Sequence, residues 1–230
     1  MTLNSLIKET RKLADPKRAK TSAWFFKTGP GQYGEGDKFL GLNTPQMRKI
    51  SAKYRNLQLP DVQELIKSPY HEHRSIAIQI LVHQFPQNSK IIYYLYLKNT
   101  KYINNWDLVD ISAPKIVGAY LTDKPRGILY QLAESKSLWE RRIAIISCLY
   151  FIVKEKDPTD ALKISRILLL DKHDLIHKAV GWMLREVSKN CGQKTLTDFL
   201  DNNLKLMPRT ALRYSIERFP EPLRQHYLNL

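Results

Sequence analysis

Three pairs of side chains have the types and spacing to do chemistry on a charged substrate: Trp106 with Asp110, Trp139 with Arg142, and Trp182 with Arg185. Spacings of four, three and three residues put each pair on one face of a helix. Taken singly, each tryptophan is most simply a core residue. Three such pairs at equivalent places along a repeated unit describe something more. They form an aromatic surface with arginines and one carboxylate, a set able to hold a sugar-phosphate unit and to stabilise positive charge developing on it.

Other motifs carry less. Gly29-Pro30-Gly31-Gln32-Tyr33-Gly34 matches G-x-G-x-x-G, but no strand precedes it and no helix opens after it, as dinucleotide binding requires, so it reads as a loop. His71 with His73, and His173 with His177, each offer two metal ligands without a third at a recognised spacing. These four read as surface or capping histidines. Cys148, inside an apolar stretch, and Cys191, beside Gly192, make neither a disulfide framework nor a C-x-x-C site. Both read as ordinary thiols in a reducing cytoplasm. No G-x-S-x-G, Walker or H-E-x-x-H sequence occurs.

The elements that must position the three pairs are helices. Gly is scarce, 9 of 230 residues, and 5 of the 9 fall between Gly29 and Gly41, which leaves the remaining positions poor in the residue that turns demand. Apolar residues recur at three and four spacing over Pro45 to Leu57, Arg74 to Phe85, Trp106 to Leu121, Trp139 to Lys154, Leu175 to Ser188 and Arg209 to Phe219. Laid over one another, these segments align Ala77, Ala113, Ala144, Ala179 and Ala211 at intervals of 36, 31, 35 and 32 residues. Four residues after each alanine stand Leu81, Val117, Cys148, Met183 and Ser215, the pattern of a packed inner helix. Second helices fit between them over Gln87 to Asn99, Arg126 to Ala133, Thr159 to Leu170 and Gln193 to Asn203. A two-helix unit at this period predicts an all-α, HEAT-like α-solenoid, residues 1–230 forming one domain whose inner helices line a concave basic groove.

Charge narrows the partner. Lys plus Arg number 37 against 22 Asp plus Glu, a formal +15 with a pI near 9.7, which implies a polyanion. The most apolar run, Ile143 to Val153, is about half the roughly 20 residues a bilayer-spanning helix needs. At the N-terminus Leu3, Leu6, Ile7 and Leu13 alternate with Lys8, Glu9, Arg11 and Lys12, an amphipathic pattern unlike a signal peptide. The expectation is a cytoplasmic protein without a membrane partner. One to three positions before the aligned alanines stand Arg74, Arg141 with Arg142, His177 with Lys178, and Arg209. Recurrence in one slot predicts a tracked phosphate backbone rather than a merely solvated face. Before Ala113 the slot holds Asp110 instead. A protein that only bound nucleic acid would gain nothing from a lone carboxylate among phosphates, and an RNA-reading repeat protein would show a regular code of base-reading side chains, which is not visible here.

Asn105-Trp106-Asp107-Leu108-Val109-Asp110, Leu138-Trp139-Glu140-Arg141-Arg142 and Lys178-Ala179-Val180-Gly181-Trp182-Met183-Leu184-Arg185-Glu186 resemble the AlkD-type DNA alkylation repair glycosylases. Gly34 to Gly41, then Thr44-Pro45 with Arg48, and Pro208-Arg209 add to the likeness, which covers most of the chain. The resemblance implies a monomeric HEAT-like solenoid that excises N3- and N7-alkylated purines from double-stranded DNA without metal or cofactor, in base excision repair, leaving the lesion stacked rather than flipping it. It implies Asp110 as the catalytic carboxylate, Trp106 and Trp182 as the tryptophans against the lesion deoxyribose, and Arg142 as the active-site arginine. Phe25, Lys27, Arg48, Arg74, Arg141, Lys178, Arg185 and Arg209 are the expected DNA contacts. Phe25 stands where the best-known member has tyrosine, Asn105 replaces the first of a doubled tryptophan, and the Gly29 to Gly41 loop is longer; these departures bear on lesion range. The rival reading is a non-catalytic HEAT-like solenoid binding nucleic acid or an acidic protein.

Overall fold

Thirteen α-helices and no strand make up the computed structural model, which describes residues 1–230. The one β-type pairing is an isolated bridge between Lys38 and Tyr70. No helix is long and apolar enough to cross a membrane. The chain forms two compact units, Met1–Ser112 and Ala113–Leu230.

Unit 1 contains α1 (Leu3–Lys12), α2 (Pro16–Phe25), α3 (Thr44–Lys53), α4 (Leu59–Ile66), α5 (His71–Lys98) and α6 (Trp106–Ala113, its last residue in unit 2). Local chemistry starts these helices where the sequence permits. Thr2 and Asn43 close capping boxes with Ser5 and Gln46, and Asp15 accepts from the Arg18 amide with Pro16 behind it. The helices expected over Arg74 to Phe85 and Gln87 to Asn99 are both present, run together as α5 across a kink. The kink lies at Asn88, φ −135°, two residues past Pro86, whose missing amide already interrupts the hydrogen-bond ladder. Ile50, Val62, Ile66, Ile76, Ile80 and Leu81 are fully or nearly fully buried where α3 and α4 pack on α5.

Unit 2 contains α7 (Gly127–Ala133), α8 (Leu138–Tyr150), α9 (Thr159–Leu168), α10 (Asp174–Cys191), α11 (Gln193–Asn203), α12 (Arg209–Ser215) and α13 (Glu221–Asn229). A π-helical segment, Pro114–Gly118, continues α6, and a second, Phe151–Glu155, continues α8 until Lys156 turns left-handed at φ 57°. α8 packs against the first π-helical segment on one side and α10 on the other, and α10 against α12, while α7, α9 and α11 cover their outer sides. This is the stacking of an α-solenoid, each repeat burying its apolar face on the next. The aligned alanines hold the inner positions: Ala113, Ala144, Ala179 and, in unit 1, Ala77 are 0% exposed, and Ala211 is 1% exposed. Backbones meet directly at two glycines. A methyl on Gly118 would overlap the Ser147 carbonyl oxygen, and one on Gly181 would sit 2.6 Å from the Ala211 carbonyl oxygen.

Candidate functional site

In unit 1 the site is built on the first turns of α6. Asn105, itself fully buried, accepts the Trp106 amide proton through Oδ1 at 2.9 Å and so holds the start of the helix. Trp106 is half-buried and stacks on Phe26, with centroids 5.6 Å apart and planes 29° apart, while Phe25 meets it edge-on at 6.1 Å. Phe26 in turn lies against His71 at 4.7 Å and Phe39 at 5.4 Å. An indole supported from behind by a column of rings keeps its free surface fixed in direction, and that is the preorganisation a cation-facing aromatic needs.

Asp110 is half-buried one turn further along α6, four residues from Trp106 and on the same side. Its charge reaches the fully buried Tyr96 phenol, whose oxygen pairs with the Ser112 hydroxyl at 2.9 Å. Burial chiefly, and Asp110 further, push that phenol above the ordinary tyrosine range.

Beneath Trp106 runs a buried ionic network. His71 contacts Asp107 through Nε2 at 2.9 Å and Asp37 through Nδ1 at 3.4 Å, and Asp37 also takes the Arg74 guanidinium at 2.7 Å and the Asn104 amide at 3.2 Å. Burial pulls the imidazole pKa down, but the carboxylates of Asp107 and Asp37 outweigh it and raise the pKa to about 9, so His71 is a cation at neutral pH. The reverse balance holds Asp37 below the usual carboxylate range: burial opposes ionisation, and His71 with Arg74 overcomes it. His73 behaves oppositely, since burial and the nearby Arg11 and Arg74 lower its pKa to about 4, and as a neutral ring it contacts Thr10 at 2.9 Å and Ser68 at 2.8 Å.

Three expectations are corrected here. His71 and His73 are interior residues, 2% and 4% exposed, not surface histidines. Arg74 is 3% exposed and committed to Asp37 and, at 3.0 Å, to the Ser68 carbonyl, so it offers no surface to a phosphate. Trp139 is a core residue, 9% exposed, which removes the middle member of the aromatic surface. His173 does cap: its Nδ1 accepts from the Leu175 amide at the start of α10.

In unit 2, Arg142 is 5% exposed on α8 and donates to the Leu175 carbonyl at 2.6 Å. Trp182 is half-buried on α10. Arg141 bonds Asp171 through Nε at 2.5 Å and the carbonyls of Ser135 and Lys136, beside a surface cleft lined also by Lys172 and His173. Lys178 pairs with Asp174 at 2.7 Å, Arg185 with Glu217, and Arg209 with the Leu228 carbonyl at 2.8 Å. Back in unit 1, Phe25, Lys27 and Arg48 are exposed. The residue that sequence reasoning passed over is Trp24, 73% exposed at the end of α2; a helix without an apolar stripe offers no periodic signal.

Residues 6–219 match the family model described as DNA alkylation repair enzyme. Among solved structures the fold is similar to that of a predicted DNA alkylation repair enzyme from Enterococcus faecalis, with a TM-score of 0.70, 16% sequence identity, and coverage of 90% of this chain and 97% of that one. No curated protein matches.

Proposed function

The chain belongs to the DNA alkylation repair enzyme family, and from that premise we propose that it is a DNA glycosylase removing N3- and N7-alkylated purines from duplex DNA. The observation that carries this reading is Asp110, a half-buried carboxylate one helical turn from a tryptophan braced by stacked rings, in a protein of net charge +15. A cation groove for DNA has no use for that carboxylate unless positive charge develops in front of it.

Alkylation at N3 or N7 makes the purine cationic. When the N-glycosidic bond breaks, its electron pair stays with the base, which leaves neutral, and the positive charge passes to the C1′–O4′ unit of the sugar. Asp110 stabilises that oxocarbenium-like cation and accepts hydrogen bonds from the water that adds to C1′, whose surplus proton passes to solvent, giving an abasic site. Trp106 and Trp182 face the deoxyribose, their ring faces favouring the developing charge. Arg142, 5% exposed and held by the Leu175 carbonyl at 2.6 Å, contributes a fixed positive charge from behind the site rather than a surface contact to phosphate. Phe25, Lys27, Arg48, Arg141, Lys178, Arg185 and Arg209 contribute to holding DNA, in the cytoplasm, by a monomer acting as one domain. No general acid is required, because the leaving group is already activated.

The test is incubation with duplex DNA carrying 3-methyladenine or 7-methylguanine, followed by chromatography of the free base. Release of the methylated bases and retention of uracil and hypoxanthine are the expected results, since those neutral bases need a proton on leaving. Binding of the same duplex without any base release would instead support the non-catalytic solenoid.

A further inference from the structure

Helix α2 buries none of its side chains. It is fastened by a few polar bonds instead: the Asp15 amide donates to the Leu40 carbonyl at 2.8 Å, the Arg18 guanidinium donates to the Gly41 carbonyl at 3.0 Å, and any side chain at Gly41 would collide with the Asp15 carbonyl. Seven of its ten residues are exposed, Lys17, Lys20 and Trp24 among them. Arg18 also pairs with Asp15 at 3.5 Å, but Lys17 and Lys20 are exposed and no carboxylate lies between Pro16 and Phe25, which suits a polyanion. At its end stands Trp24, 73% exposed, with Phe25, 52% exposed, joining it to Trp106. An indole this open to water is unusual for a residue normally much buried.

Lys27 supplies the second observation. It adopts the left-handed region at φ 55°, where glycine is the inexpensive choice after a helix end. Its amide donates to the Trp24 carbonyl at 3.3 Å and its carbonyl accepts from the Gly34 amide at 3.0 Å. That backward turn carries Nζ to 5.0 Å from the centre of the Trp24 ring. A lysine kept in a strained conformation over an exposed aromatic face is explained by what its side chain does.

We propose that Trp24, with Lys27 over one face of its indole, is on its other face a stacking platform for a nucleobase that has left the DNA stack, Lys27 and Lys20 meeting the phosphates on either side. Every base has a face to offer an indole, so the platform is indifferent to sequence and selective for local unstacking. The proposal rests on the DNA-binding part of the preceding reading and is independent of base excision.

Equilibrium binding by fluorescence anisotropy, with a regular duplex and the same duplex carrying a single-nucleotide bulge, tests it. Wild type should favour the bulged duplex by about tenfold, the scale of one base–aromatic stack. Trp24→Ala should bring the ratio of the two affinities close to one, and Trp24→Phe should retain part of it. Lys27→Gly should weaken binding and lower the slope of log affinity on log salt by about 0.9, while its melting temperature holds or rises because the strain is relieved. A wild-type ratio near one, or a preference that survives in Trp24→Ala, overturns the platform. Failure of wild type to bind either duplex overturns the DNA-binding reading itself, a different result from a lost preference.

Discussion

Raising the pH should loosen unit 1 through a single buried imidazole. His71, with a folded pKa of about 9 against an ordinary value of 6.5, binds its proton more tightly in the folded chain. Its contribution is therefore complete below about pH 6.5 and is lost as pH rises through about 9. The gap of about 2.5 in pKa corresponds to about 3 kcal/mol at 1.36 kcal/mol per unit. For a chain of this size that amounts to a fall in melting temperature of roughly 10 °C between pH 7 and pH 10. Net charge works the other way, because the +15 chain approaches its pI near 9.7 and repels itself less. The informative quantity is thus the difference between wild type and His71→Gln, which keeps a hydrogen-bonding side chain between Asp37 and Asp107 without the cation. Melting curves by circular dichroism at half-unit intervals should show a gap of about 3 kcal/mol at pH 7 that narrows toward pH 10. A gap constant across the range refutes the idea that Asp107 and Asp37 hold a charged His71.

Asp110→Asn should abolish base release by at least about a hundredfold while DNA affinity stays the same or improves, since it removes a preorganised charge of roughly 3 kcal/mol but preserves size; single-turnover excision and anisotropy read the two effects separately. Trp106→Ala and Trp182→Ala should each lose less, about 1 to 2 kcal/mol apiece plus positioning, and a tryptophan variant slower than Asp110→Asn in the same assay would reverse the assigned roles. Gly181→Ala, which places a methyl 2.6 Å from the Ala211 carbonyl oxygen and 2.5 Å from the Tyr214 Cβ, should destabilise unit 2 by about 1 to 3 kcal/mol, measured by urea unfolding.

Much of the fold is legible because one solution is written several times. The alanine register survives in the structure, with Leu81, Val117, Cys148 and Met183 fully buried four residues on, since an inner helix must meet the same neighbour in each repeat. The helix expected over Gln193 to Asn203 is found there, and that over Thr159 to Leu170 ends at Leu168. Helix α2 escapes such reading because it has no apolar stripe, only the Asp15–Pro16 start signal. Legibility fails at the site for a different reason. Asp37 and Arg74 are 37 residues apart and His71 and Asp107 are 36 apart, so each looks like an ordinary polar residue in its own segment, and only the folded chain shows that one neutralises the other.

The same spacing explains what became of the basic stripe. Arg141 reaches Asp171 across 30 residues, Arg142 the Leu175 carbonyl across 33, Arg185 Glu217 across 32, and Arg126 both Asp157 and Asp160 across 31 and 34. These are repeat-length steps, so the polar partners recur with the period of the alanines. An arginine in a fixed slot of each repeat suits a phosphate track, but it suits equally a stitch to the next repeat, because its guanidinium can satisfy carbonyls and carboxylates over several directions at once. Arg74 shows the stitch taken to its limit, buried on Asp37 with no access to solvent worth a phosphate contact. A slot of paired arginines supplies less of the attraction for a polyanion than its residue types suggest. More of it falls to exposed cations away from the slot, and both units carry them: Lys17, Lys20, Lys27 and Arg48 in unit 1, and Lys163, Arg166, Lys194 and Arg213 in unit 2.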